Sequence, residues 1–248
     1  QPWDEVIELV RTACGRATLR LHSADPEDSF LSSLWQETEA PADLVWHQAT
    51  FGSVRIFESS EIDPARLDWP ALRTALEPQG LFPVLCGWSL DDVEPEVGKL
   101  SRALKRAGAV VGHKKLLKLV AKDAVARRRL ERAPIPPGSS RLRPPDGRRH
   151  LVLIGGAPEK AVLCYQFEQY HLDAREVASI LAAWRKRVGA ELMAFDRDTM
   201  DLWLPEAVTD ADQIRRLALE MRSFAPDIDG LRGPLSAAAS RQWSFWWD

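Results

Sequence analysis

Acidic side chains crowd the end of this chain: Glu220, Asp227, Asp229 and Asp248. Converging carboxylates could hold a hard cation or divide acid–base work between them. The local pattern pulls the other way, because Asp227 follows Pro226 and fits a turn-capping role. No histidine stands at ligand spacing: His22, His47, His113, His150 and His171 are isolated from one another and from the cysteines. Cys14, Cys86 and Cys164 are scattered and odd in number, which suits buried thiols rather than a disulfide framework or zinc knuckle. Gly155-Gly156 follows an apolar run but lacks GxGxxG, and Lys160 is not in Walker spacing. No GxSxG, HExxH, CxxC or kinase pattern occurs. No catalytic residue, metal site or cofactor is therefore assigned. The enzyme class stays open, leaning against, with the C-terminal carboxylates as its candidate machinery.

Two other groups could support recognition. The tail WSFWWD places aromatic side chains where a ligand platform or an interface anchor could form. On a strand, Trp243, Phe245 and Trp247 share one face and pack inward, which leaves Trp246 as the exposed one. With Asp248, Asp227 and Glu220, and with the Tyr170-His171 pair beside a helix start, Trp246 makes up the candidate partner-binding set. The second group is basic. Lys115, Lys118 and Lys122 share a helical face, and Arg127 and Arg128 follow. They could meet phosphates, or they could be a solvated face or dock on acidic parts of the chain. Residues 99–149 contain no Phe, Tyr or Trp, so base stacking is not offered and nucleic acid is the lesser reading.

The elements that must position these residues belong to a globular chain of 248 residues, 45% apolar and 28% charged. No apolar run approaches the roughly 18 residues of a membrane helix. The chain opens at Gln1 without a signal-peptide pattern, leaving an upstream targeting segment open, and it has no asparagine to glycosylate. A cytoplasmic protein is expected. The net charge of −3 is unevenly spread: residues 1–98 carry 6 basic and 18 acidic side chains, residues 99–149 carry 16 and 3, and the remainder 11 and 15. Such segregation favours attraction within the fold or two surfaces offered to partners.

Periodicity and caps give the elements in order. Trp3–Cys14 reads as an amphipathic helix, Thr18–His22 as a weak strand, and the segment after Asp25 as a helix. Strands are expected at Leu44–Trp46 and Gly52–Phe57, a helix capped by Asp68, and a buried strand at Leu81–Cys86 with Pro83 at its start or on an edge. A helix is expected after Ser89, then one basic helix running to about Arg132. Residues 134–148 are rich in proline and glycine and read as a linker between an N-terminal α+β region (1–133) with a basic helical end and a C-terminal domain (149–248). In the latter, strands are expected at Leu151–Ile154, Ala161–Phe167, Leu192–Phe195, Met200–Leu204 and Trp243–Trp247. Helices start at Asp173, with Glu176 completing a capping box, and at Thr209 or Asp210. The fold class is α+β. The C-terminal order suggests a split βαβ, ferredoxin-like antiparallel sheet with helices on one face, preceded by a smaller α+β part.

Several residues in this order resemble a known family. Trp184, Gly189-Ala190-Glu191-Leu192, Asp198-Thr199, Leu217-Ala218-Leu219-Glu220, Pro226-Asp227-Ile228 and Phe245-Trp246-Trp247-Asp248 are similar in pattern to an uncharacterised bacterial family, domain of unknown function 4253. Trp69 with Gly80-Leu81-Phe82-Pro83-Val84-Leu85 resembles it more loosely. The chain departs from that pattern at Ala225, where many members carry cysteine, and in segment 99–149. The resemblance implies shared architecture and no activity. Its bacterial character suggests by analogy an immunity or inhibitor protein that neutralises a cognate toxin. The expected function is thus a non-catalytic protein-binding module with a protein partner. Its alternatives are an unrecognised carboxylate enzyme and nucleic-acid binding through 114–132.

Overall fold

The computed structural model describes residues 19–21, 44–51, 54–89, 111–167, 169, 171–226 and 232–247. The helices expected at Trp3–Cys14, after Asp25 and after Ser89 fall outside them. The chain is α+β and forms two compact units, one from residues 1–105 and 144–166, the other from 106–143 and 167–248. These boundaries differ from those expected at 133/134 and 148/149. The basic helices group with the C-terminal elements, and residues 149–155 with the N-terminal strands.

The first unit is built on a mixed sheet. Strand β1 (Leu19–Leu21) runs parallel to β2 (Leu44–Phe51), and β2 is antiparallel to β3 (Val54–Ile62). Strand β5 (Arg149–Gly155) lies between β3 and β4 (Leu81–Cys86), antiparallel to both. Its Leu151–Ile154 run is buried on both faces, as a central strand requires. Pro83 stands opposite Leu153. The Gly156 N–H donates to Gly80 O at 3.1 Å, which sets the alternation so that the Pro83 nitrogen faces away from β5 and costs no bond in that ladder. Helix α1 (Trp69–Leu76) starts where Asp68 accepts from the Ala71 N–H at 3.1 Å, and it buries Trp69, Leu72 and Leu76.

The strand expected at Ala161–Phe167 is instead a short helix, α4 (Lys160–Cys164). A short apolar run cannot be assigned from periodicity alone. Here Ala157 and Pro158 carbonyls accept from Lys160 and Ala161, closing helical turns that bury Ala161–Cys164.

In the second unit the expected single basic helix is two, α2 (Val111–Lys122) and α3 (Ala124–Arg132). Asp123 breaks them, because its side chain accepts from the Ala126 N–H at 2.9 Å and caps the second. Helix α5 (Ala174–Val188) has the expected capping box at Asp173 and Glu176 and ends at Gly189, φ +75°. Strands β6 (Glu191–Phe195), β7 (Thr199–Trp203) and β8 (Gln242–Trp246) form an antiparallel ladder with β7 in the middle. Helix α6 (Ala211–Phe224), capped by Asp210, and an unexpected short α7 (Arg232–Ala238) connect β7 to β8. The split βαβ order is not confirmed by these pairings: β7 lies between β6 and β8, and the run expected as the strand just before α5 is the helix α4.

The core of this unit is aromatic. Trp184 of α5 stacks on Phe245 and meets Trp243 and Phe224 edge-on. Phe167 meets Phe195 and Trp247 in the same manner. Residues 134–143 carry no helix or strand, yet they are tied down. Ser139 N–H donates to Ser240 Oγ at 2.8 Å, and Ser139 O accepts from Arg241 N–H at 2.9 Å. A Cβ on Gly138 would stand 1.7 Å from the Ala239 carbonyl oxygen, so only glycine allows that approach.

Candidate functional site

Glu220 of α6, expected in the partner-binding set, sits in the interior at 3% exposure. It accepts from Trp184 Nε1 at 2.7 Å and from both terminal nitrogens of Arg187, the nearer at 2.5 Å. His113 Nε2 of α2 faces the same carboxylate at 3.8 Å, buried and without a hydrogen bond. A carboxylate held this way is a structural clamp between α5 and α6, since a buried charge is tolerable only when paired and hydrogen-bonded.

Helix α2 reaches this place because Gly112 lets its backbone touch α5. An added Cβ would meet the Glu176 carbonyl oxygen at 2.1 Å. One turn on, Lys115 Nζ donates to both oxygens of Glu176, at 2.8 and 2.9 Å, and to the His171 carbonyl at 2.6 Å. Lys115 is thus committed internally, and Glu176 closes the capping box and binds Lys115 with one carboxylate. Burial works to raise the Asp173 carboxyl, but the Glu176 N–H, the Arg175 guanidinium and the Arg175 N–H outweigh it and hold the group below its ordinary range.

The rest of the basic set is outward. Lys118, Lys122, Arg127 and Arg128 are exposed and, among the described residues, form no ion pair. Leu117 (43%) and Val125 (63%) are exposed among them.

On β8 the alternation separates two faces. Trp243, Phe245 and Trp247 are buried, whereas Ser244 and Trp246 are exposed, Trp246 at 45%. Beside the indole runs a polar row: Asp201 Oδ1 accepts from Ser244 Oγ at 2.5 Å and from Gln242 Nε2 at 3.2 Å, and Gln242 also binds the Arg143 backbone. Of the other residues expected here, Asp227, Asp248 and Tyr170 fall outside the described residues, and His171 is an exposed turn residue.

A cluster that no sequence pattern pointed to lies in the first unit. Glu58 of β3, 2% exposed, accepts from the Tyr165 hydroxyl in a very short bond and from Ser89 Oγ at 2.6 Å. Trp88 meets Tyr165 edge-on. Burial first, then the Glu58 charge, push the Tyr165 phenol well above its ordinary value, so it remains a donor. Burial also raises the Cys164 thiol far above its ordinary value, which leaves it an inert core residue. A buried glutamate on a strand carries no local signature; only its partners, far along the chain, identify it.

Among the described residues no group of three or more His, Cys, Asp or Glu side chains could hold a metal ion, and no helix is long and apolar enough to cross a membrane. No curated protein and no solved structure matches the chain. Residues 161–248 match the model of the family described as a domain of unknown function (DUF4253).

Proposed function

We propose that this chain is a non-catalytic, cytoplasmic protein-binding module that works as an immunity or inhibitor protein against a toxin. The observation that carries the reading is the Trp246 indole, held at 45% exposure at the end of a strand whose other two aromatics, Trp243 and Phe245, are buried. A large aromatic on a rigid strand gives an interface area at little conformational cost, and such residues dominate binding energies. The Ser244–Asp201–Gln242 row supplies the hydrogen-bonding rim such an anchor needs. The structural commitment of Glu220 to Trp184 and Arg187 favours recognition over acid–base chemistry.

The test is co-expression with the product of the adjacent gene. The parent chain protects cells and co-purifies with that product, and Trp246→Ala loses protection while keeping its thermal transition. Equal protection by the two, or none by either, rejects the reading.

A further inference from the structure

The two basic helices carry an arrangement that neither the polar rim of β8 nor a solvated face accounts for. Residues 111–132 hold eight basic side chains against Asp123 and Glu131. Asp123 is already turned toward Arg222 of α6, at 3.5 Å. Lys114, Lys118, Lys122, Arg127, Arg128, Arg129 and Arg132 are exposed and make no ion pair among the described residues, so the described residues leave the positive field of α2 and α3 without a counter-charge.

Two of the three exposed large apolar side chains in the described structure lie within this field. Leu117 shares its helical face with Lys114 three residues before and Ala121 four after, and Val125 shares its face with Arg128 and Arg129. Leu116, Ala126 and Leu130 are the buried hydrophobic side chains among the described residues of these helices, so Leu117 and Val125 are surplus to the core. Phosphates would gain from the cations and nothing from the aliphatics, and no aromatic is present to stack on bases. Two short aliphatics are also too few to seat a helix in a membrane interface, where a broad apolar face is needed.

We infer that the outer faces of α2 and α3 dock an acidic protein segment that presents aliphatic side chains between its carboxylates. The cations set the sign and the on-rate; Leu117 and Val125 discriminate an amphipathic partner from any polyanion. This surface is separate from Trp246 and does not rest on the reading given above.

The test uses the full chain and four fluorescent probes: a helical peptide with leucines at i, i+3, i+4 and i+7 among glutamates, the same peptide with serine for leucine, a short duplex DNA, and vesicles of phosphatidylserine and phosphatidylcholine. The leucine peptide binds at least about ten-fold tighter than the serine peptide, as expected for two aliphatics gaining burial. L117S/V125S removes that advantage, K118E/R128E weakens both peptides, and W246A changes neither. Equal binding of the two peptides, no binding by either, tighter binding of DNA or vesicles, or an L117S/V125S variant that keeps the preference overturns the inference. The peptide comparison is made on the unaltered chain, so its outcome does not depend on how any variant folds.

Discussion

Replacing Glu220 separates a structural carboxylate from a functional one. In Glu220→Ala the Trp184 Nε1–H, on a fully buried ring, loses the acceptor it has at 2.7 Å, which costs about 1–3 kcal/mol. Arg187 loses both of its bonds to the carboxylate, but its side chain is 35% exposed and water can take over, so its share falls at the low end of the roughly 3–5 kcal/mol seen when a buried pair is broken. The sum to expect is about 3 kcal/mol. Glu220→Gln keeps the shape and one acceptor oxygen but removes the charge, so about half that loss is expected, in line with ~1.5–3 kcal/mol for bonds to charged groups. Urea unfolding followed by tryptophan fluorescence measures both, with the slope m checked for constancy. If both variants stay within about 0.5 kcal/mol of the parent, as exposed substitutions do, the clamp is refuted and Glu220 becomes available for chemistry.

Three further outcomes follow from named contacts. Gly112→Ala improves helix propensity by about 1 kcal/mol in isolation. Here it lowers stability by roughly 1–3 kcal/mol, because the new methyl group meets the Glu176 backbone, and an unfolding midpoint that rises would contradict the α2–α5 contact. Of the two tyrosines, Tyr165 stays protonated in the native chain when an ordinary phenol, with pKa near ~10, ionises. Its folded value is raised, so its contribution is complete below the unfolded value and is lost as pH rises above it; native tyrosinate absorbance that matches the unfolded chain at each pH would refute this. Asp173 is shifted the other way, so its cap contributes above the unfolded carboxylate value and fades as pH falls through the lower folded one. Asp173→Ala therefore costs about 1 kcal/mol near neutral pH and less in acid, and a cost independent of pH would remove the charge from the explanation.

What the sequence discloses and what it hides divide along one physical line. Asp68, Asp173, Asp210 and Gly189 cap helices as read, because a cap needs only the neighbouring turn. The faces of β8 are equally local, since alternation decides them. Errors begin where a residue's role depends on something distant. Ala161–Cys164 is apolar enough for a strand, and only the turn closed at Ala157 and Pro158 makes it a helix. Lys115 looks like a surface cation in any helical projection. It is neutralised because Gly112 brings α2 against Glu176, 61 residues away. The proline-rich stretch has a linker's composition, yet Ser139 is fixed by Ser240, 101 residues on. Glu220 gives the sharpest case, because four acids near the chain end invite a reading as metal or catalytic ligands. The neutralising groups lie on α5, 33 and 36 residues earlier. A charge cluster in sequence therefore reports a functional site only after long-range partners have been subtracted, and on α2 and α3 the charges left over after that subtraction, Glu131 apart, are basic.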